Sequence, residues 1–169
     1  APNFTASSTQ GEINFHDWIG DGWAVLFSHP KHKTPVCSTE LGEVEKLADE
    51  FAKRNVKTLG LSVDTVDETS SWLEDINDIA GAKPSFPIIA DTDMAVSKLY
   101  NMLPALEEGT SDGRTALDNE TVRTVFIVGP DKKIKLYLTY PMTTGRNFNE
   151  ILRVIDSMLL TSSHPVATP

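Results

Sequence analysis

The chain has 169 residues, of which 40% are hydrophobic and 23% are charged, and its formal net charge at pH 7 is -9. This composition predicts one compact domain over residues 1–169 and excludes disordered and collagen-like classes. The negative charge argues against nucleic-acid partners, because a nucleic-acid binder normally gathers Lys and Arg on one face. No apolar run approaches the ~18 residues of a membrane span and no leader is visible at Ala1, so we expect a cytoplasmic protein without a membrane partner.

The first predicted elements alternate between strand and helix. Residues 23–27 read WAVLF, a continuous apolar run that indicates a strand buried on both faces. A helix with one apolar stripe should follow and end at Arg54, because apolar residues recur there at i, i+3, i+4 and i+7. Those residues are Val44, Leu47, Ala48 and Phe51. The sequence VKTLGLSV at 56–63 then predicts the next strand.

The same alternation continues to the end of the chain. A helical stretch carries Trp72, Ile76 and Ile79, and FPII at 86–89 predicts another strand. A helical segment around Met94 to Leu103 and a polar loop come before two strands, at 122–128 and 134–140, which flank the turn GPDKK and predict an antiparallel hairpin.

The last predicted helix has the clearest amphipathic pattern of the chain. Its apolar face consists of Phe148, Ile151, Leu152, Ile155, Met158 and Leu159. With this helix the predicted order is β-α-β-α-β-α-β-β-α, which indicates an α/β protein. We expect a thioredoxin-like fold, in which a mixed central sheet is flanked by helices and carries additions before it and between its halves.

Cys37 is the only cysteine of the chain, so an internal disulfide is excluded and a metal site built on several thiolates is not expected. Thr34 can cap the helix that follows, and Pro35 suits its first position, which places Cys37 in the first turn. Free backbone N–H groups and the helix dipole stabilise a thiolate there. From these residues alone Cys37 is inert packing, a reactive thiol or half of an intermolecular bridge, and the end of a buried strand favours a reactive site.

The motif P-x-x-x-T-x-x-C, formed by Pro30, Thr34 and Cys37, resembles the peroxidatic signature of peroxiredoxins. Other stretches resemble the one-cysteine branch of that family, the peroxiredoxin-6 type: FAKRNVK, GPDKK, YPMTTGRNFNEILRV and the terminal PVATP. The resemblance covers essentially the whole chain. It implies the peroxiredoxin variant of the thioredoxin-like fold and a thiol-dependent peroxidase that reduces hydrogen peroxide and alkyl hydroperoxides without a cofactor or metal.

The resemblance also implies the catalytic residues. Cys37 corresponds to the peroxidatic cysteine, Thr34 to the motif threonine and Arg123 to an arginine that stabilises the thiolate and holds the peroxide. Arg123 could instead be an edge-strand charge facing water, although a cation inside an apolar strand more often has a partner. Arg146 corresponds to a second family arginine, and a surface charge or a supporting network fits it equally well.

Three further residues are implied near the substrate or behind the thiol. Pro30 belongs to the motif itself, and His29 lies near the thiol in the family, where it tunes the sulfur or binds a product oxygen. A structural histidine is an equal alternative for His29. Glu40 lies one turn after Cys37, where it anchors an arginine or simply occupies the helix surface.

Turnover requires an external reductant, because the chain has no second cysteine that could resolve a sulfenic acid. Glutathione and a thioredoxin-like protein are the expected classes, and the family resemblance implies a homodimer. A redox sensor or a holdase chaperone that uses the same cysteine is the main alternative. A disulfide reductase is less favoured, because Thr34 replaces the first cysteine of the usual C-x-x-C motif.

The sequence departs from the family pattern in three places. His32 and Lys33 replace the usual aromatic rim before the threonine, and we expect them to add positive charge at the mouth of the pocket. Gly22 in GDGW replaces the serine of members with phospholipase activity, so that chemistry is not expected although His16 and Asp131 match the other two positions. The family resemblance also implies a small C-terminal domain after PVATP, which we expect to be absent or not included in these 169 residues.

Overall fold

A computed structural model describes residues 1–104 and 120–169. The strands are β1 (Thr5–Ser8), β2 (Gly11–Asn14), β3 (Trp23–Ser28), β4 (Val56–Ser62), β5 (Ile88–Ala90), β6 (Arg123–Val128) and β7 (Ile134–Tyr140). The helices are α1 (Phe15–Ile19), α2 (Pro35–Lys46), α3 (Ala48–Lys53), α4 (Val66–Ala80), α5 (Ala95–Leu99) and α6 (Phe148–Ser163). None of the helices in these two ranges has the length and apolar character to span a membrane.

The strands form one mixed sheet in the order β2-β1-β5-β4-β3-β6-β7. β3, β4 and β5 are parallel, and β6 pairs antiparallel with both β3 and β7. This arrangement confirms the predicted α/β class and the hairpin around GPDKK. Because β6 runs against β3, its first residues lie beside the end of β3, where the cysteine loop begins.

The two faces of the sheet carry separate parts of the core, as alternation along β3 requires. Val25 and Phe27 pack on the face that also holds Cys37, Trp72 and Phe148. The intervening residues of β3 pack on the other face with residues of α1 and with Val96 of α5. The thiol therefore belongs to the core layer formed with α2, α4 and α6.

The structure corrects two predicted helices. The helix through Val44 and Phe51 is interrupted at Leu47, where the Leu47 N–H is shared between the carbonyls of Glu43 at 3.1 Å and Val44 at 3.2 Å. This tight turn separates α2 from α3 while Phe51 still reaches the same core.

The helix predicted from Met94 to Leu103 is also shorter, because Asn101 adopts a left-handed φ of 55° just after α5. In α4, Ile79 is 61% exposed and does not share the buried face of Trp72. Most of the predicted polar loop lies outside the described residues.

Candidate active site

Cys37 lies in the first turn of α2 and is fully buried, at 0% exposure. Thr34 is the N-cap residue, as predicted, but its side chain makes no capping hydrogen bond. The Thr34 hydroxyl instead donates to the carbonyl of Lys31 at 3.2 Å. The Thr34 carbonyl accepts from the Ser38 amide at 3.0 Å and from the Ser38 hydroxyl at 2.9 Å, which closes the turn around the thiol.

Arg123 approaches the sulfur from the start of β6. Its Nη1 lies 3.4 Å from Cys37 Sγ, and its Nε donates to the carbonyl of Met142 at 2.7 Å. Arg123 is only 3% exposed and belongs to a strand paired on both sides, so the alternative of a solvent-facing edge charge is excluded. Its position follows from the antiparallel pairing of β3 and β6.

Glu40 joins the two arginines through both carboxylate oxygens. Arg123 Nη1 donates to Oε2 at 2.5 Å, while the Arg146 amide and Nε donate to Oε1 at 2.6 and 2.9 Å. Arg146 Nη2 reaches Oε2 at 3.0 Å, and its Nη1 donates to the carbonyl of Thr124 at 3.0 Å. Glu40 and Arg146 are 5% and 8% exposed, so neither is the surface charge considered as an alternative.

The buried cluster beside the sulfur carries more positive than negative charge. Two guanidinium cations face one buried carboxylate, which leaves one positive charge that an ionised Cys37 would neutralise. Burial lowers the pKa of Arg146, while the hydrogen bonds and charge of Glu40 oppose that effect. The rings of Phe27 and Phe148 each lie 5.4 Å from the Arg146 guanidinium carbon and add cation–π contacts.

His29 is fully buried at the start of the loop between β3 and α2. Its amide donates to the Leu61 carbonyl at 3.0 Å and its carbonyl accepts from the Thr121 hydroxyl at 2.9 Å. Burial first, and then the positive charges of neighbouring groups that include Arg146 and Arg123, hold the pKa of His29 well below its usual value. Neither ring nitrogen has a partner among the described residues, so a neutral imidazole lies near the arginines without a hydrogen bond to the thiol.

His32 does not add the positive charge expected from the sequence. Its side chain is buried, and burial lowers its pKa to about 4, so the imidazole is neutral near pH 7. The ring stacks on Trp72 with 4.5 Å between centroids. His32 thus supplies an aromatic ring next to the position where the family usually has an aromatic residue. The adjacent Lys33 is exposed and supplies the charge at this point, with a left-handed φ of 58°.

Pro30 is buried between His29 and the exposed Lys31, which pairs with Glu120 at 3.5 Å. The structure therefore joins Cys37, Arg123, Glu40 and Arg146 in one chain of contacts, and it places His29 and Pro30 in the loop between β3 and α2. Sequence reasoning missed the carbonyls of Met142 and Thr124, because backbone acceptors have no residue-type signal.

The residues that match the phospholipase positions have other partners. His16 Nε2 lies 2.9 Å from the Ala1 carbonyl, and Asp131 accepts from Lys135 at 2.7 Å. A Cβ added at Gly22 would lie 2.8 Å from the carbonyl oxygen of Asn55, so a serine there would require a backbone shift. Within residues 1–104 and 120–169, His, Cys, Asp and Glu form no group of three that could hold a metal ion.

Comparisons with known proteins agree with this geometry. The AhpC/TSA family profile matches residues 1–137. The chain belongs to the AhpC/TSA family. Peroxiredoxin-6 of Rattus norvegicus is 54% identical over 173 residues, and that of Homo sapiens is 50% identical. Each alignment covers 100% of this chain and 75% of the relative.

Two solved peroxiredoxins share the fold over almost the whole chain. A cysteine-to-serine mutant of peroxiredoxin 6 from Arenicola marina superposes with a TM-score of 0.88 at 48% identity, covering 99% of this chain and 75% of that one. The yeast mitochondrial 1-Cys peroxiredoxin gives a TM-score of 0.88 at 50% identity, covering 100% of this chain and 78% of that one. The AhpC/TSA protein described here is accordingly a one-cysteine peroxiredoxin and a thiol peroxidase that depends on an external thiol.

Proposed function

We propose that this peroxiredoxin reduces hydrogen peroxide and alkyl hydroperoxides at Cys37, with Arg123, Arg146 and Glu40 as its electrostatic frame. The observation that carries the proposal is the 3.4 Å contact between Arg123 Nη1 and a fully buried Sγ, inside a cluster with one uncompensated positive charge. Such a site can compensate the charge of a thiolate, which is the nucleophilic form of cysteine.

The reaction begins with attack of the Cys37 thiolate on one oxygen of the peroxide. An S–O bond forms as the O–O bond breaks, so sulfur is oxidised to the sulfenic acid and the peroxide is reduced. The departing oxygen takes up a proton and leaves as water or an alcohol. Arg123 is placed to stabilise the negative charge that builds on that oxygen, in addition to holding the thiolate.

Thr34, Pro30 and His29 have supporting roles in this proposal. The Thr34 hydroxyl now donates to the Lys31 carbonyl, and we propose that it turns to the peroxide when substrate binds. Pro30 shapes the loop and excludes water from the sulfur. His29 offers its unpartnered ring nitrogens to a product oxygen while remaining neutral.

The external reductant is proposed to be glutathione or a thioredoxin-like protein. A thiol attacks the sulfenic sulfur, releases water and forms a mixed disulfide, which a second thiol then cleaves. The yeast relative is described as resolving its thiol through glutathione and thioredoxin systems. That mechanism fits a chain whose one cysteine cannot form an internal disulfide.

Cys37→Ser is the test of this function. Because the hydroxyl of serine is a poor nucleophile, we expect the variant to lose peroxide consumption in the presence of dithiothreitol or glutathione while retaining its circular dichroism spectrum. Wild-type protein that forms a sulfenic acid yet sustains no turnover with any thiol would instead identify a redox sensor or holdase. Peroxide consumption by Cys37→Ser at the wild-type rate would reject Cys37 as the nucleophile.

We also propose a homodimer that forms through β7. This strand lies at one edge of the sheet formed by the described residues, so one side of its backbone is free to pair. Tyr137 and Ile134 on β7 are 66% and 38% exposed, so this edge strand presents apolar side chains to water.

The proposed location is the cytoplasm. The solved yeast relative is described as mitochondrial, so the family occurs in more than one compartment. Fractionation of cells that express the full-length protein tests this proposal, and recovery in a mitochondrial fraction would contradict it.

A further inference from the structure

His32 connects the cysteine loop to the end of β4 and the start of α4. Its Nε2 lies 3.0 Å from the Ser62 hydroxyl, 3.3 Å from the Thr69 hydroxyl and 3.3 Å from Asp64 Oδ2. The His32 amide also donates to Asp64 Oδ2 at 3.3 Å. Both the backbone and the side chain of one loop residue are thus fastened to the neighbouring strand and helix.

The other contact of His32 leads to the turn that carries the thiol. Its ring stacks on the fully buried Trp72 of α4 at 4.5 Å, with an interplanar angle of 26°. Trp72 Nε1 donates to the Ser38 hydroxyl at 3.1 Å, and this hydroxyl donates to the Thr34 carbonyl at 2.9 Å. A continuous set of contacts therefore runs from His32 to the first turn of α2, where Cys37 lies between Thr34 and Ser38.

We propose that His32 is a positioning residue for the peroxidase reaction, which holds the Trp72–Ser38–Thr34 contacts and thereby fixes Cys37 opposite Arg123. This role rests on the proposed reaction at Cys37. The role follows from the contacts of the ring, because loss of the imidazole would expose one face of Trp72 and remove the hydrogen bond that joins the loop to β4. The indole could then tilt away from Ser38, and the turn would lose its only side-chain hydrogen bond from α4 among the described residues.

The neutral state of the imidazole is part of this role. Asp64, Glu68, Lys33 and His29 are the titratable groups that surround His32. Protonation would place a cation between the rings of His29 and Trp72 and draw the imidazole towards Asp64. Acid should therefore loosen the stack in the wild type, and it should not do so in a variant with an apolar ring at this position.

Three substitutions separate the contacts of His32. His32→Ala removes the ring, His32→Phe keeps the stack without the hydrogen bonds, and His32→Gln keeps a polar group without the stack. We expect His32→Ala to slow oxidation of Cys37 by hydrogen peroxide by roughly 10- to 100-fold, because a small displacement of reacting groups has effects of that size. His32→Gln should be slowed to a similar extent, since it also leaves the face of Trp72 uncovered.

His32→Phe should recover most of the rate at pH 7. It should also lose less of that rate than the wild type as the pH falls towards about 4, where the imidazole of the folded wild type binds a proton.

Two controls distinguish positioning from stability. Thr65→Ala removes the capping box of α4 and should lower stability while leaving the oxidation rate nearly unchanged, and the exposed His164→Ala should alter neither. The proposal is overturned if His32→Ala oxidises at the wild-type rate. It is equally overturned if Thr65→Ala loses as much rate as His32→Ala at equal loss of stability, or if His32→Phe and His32→Ala behave alike at pH 7.

Discussion

At the scale of single residues, Glu40 determines how two arginines can share one buried site. Its carboxylate accepts hydrogen bonds from Arg123 through one oxygen and from Arg146 through both. Removal of one partner from a buried ion pair leaves an uncompensated charge, which is strongly destabilising. Glu40 therefore keeps the arginines in place, and the remaining positive charge is available to the sulfur.

Substitution of Arg123 should slow catalysis at this site, while Arg146 still compensates the charge of the Glu40 carboxylate. Arg123→Ala removes the donor closest to the sulfur, so we expect the second-order rate with hydrogen peroxide to fall on the order of 10- to 1000-fold. Thr34→Val should slow the reaction as well, whereas Thr34→Ser keeps the hydroxyl and should retain most activity. Stopped-flow kinetics measure these rates, and near-normal oxidation of Arg123→Ala would show that Arg123 is not the catalytic arginine.

The lowered pKa of His32 predicts how stability depends on pH. Its pKa is near 6.5 in the unfolded chain and about 4 in the folded chain, so the unfolded state binds more protons between these values. The contribution of His32 to the free energy of unfolding is therefore fully present above pH 6.5. It is lost as the pH falls towards 4, and the loss is on the order of 3 kcal/mol at the acidic end. His29 contributes in the same direction.

Urea denaturation of wild type and His32→Phe between about pH 4 and about pH 7.5 measures this effect. As the pH falls, the unfolding free energy of the wild type should decrease more than that of His32→Phe, because phenylalanine cannot bind a proton. Parallel pH curves for the two proteins would contradict the assignment.

At the scale of secondary structure elements, the close approach of α2 and α4 positions the cysteine turn. A Cβ added at Gly42 of α2 would overlap the Ala80 Cβ of α4, at a separation that side chains do not tolerate. The two helices therefore touch at this point, and Trp72 of α4 reaches Ser38 of α2 in the same layer of contacts.

Gly42→Ala should force α2 and α4 apart. Overpacking in a core typically costs about 1–3 kcal/mol, and we expect a loss of unfolding free energy in that range together with slower oxidation of Cys37. Ala80→Gly removes the opposing methyl group, so the double variant should recover part of the loss in a double-mutant cycle. Strict additivity of the two substitutions would show that the methyl groups do not meet.

At the scale of the whole molecule, the sheet ends in an exposed strand. β7 pairs with β6 on one side only within the described sheet, and its exposed side chains alternate with half-buried ones along much of the strand. The unpaired backbone groups of an edge strand can form hydrogen bonds with a strand of a second chain. A homodimer would cover this edge and remove its apolar side chains from water.

Tyr137→Lys tests this dimer. A charge at the edge should weaken association by at least about 10-fold, because loss of one central aromatic contact commonly has that effect. Leu99→Lys on α5 introduces the same side chain at a residue that is 49% exposed and should leave association unchanged. Sedimentation velocity over a range of concentrations measures both, and a wild-type protein that stays monomeric would contradict the proposal.

Local patterns were enough to predict much of the fold. The apolar run of β3, the hairpin of β6 and β7 and the amphipathic stripe of α6 each depend on neighbouring residues, and all three are confirmed. The break at Leu47 and the early end of α5 were not predicted, because they depend on how the backbone turns rather than on the spacing of apolar residues.

The sequence by itself determined that one thiol would lie at the start of a helix after a buried strand, and its motif identified the chemistry. Only the tertiary structure decided which charges meet there, because Glu40, Arg123 and Arg146 come from α2, β6 and the loop before α6. The same holds for His32, which the sequence predicts as part of a positive charge at the mouth of the pocket and which the structure shows as a neutral buried ring stacked on Trp72. Burial and the pairing of distant elements set protonation and contacts, and neither is encoded in the spacing of residues along the chain.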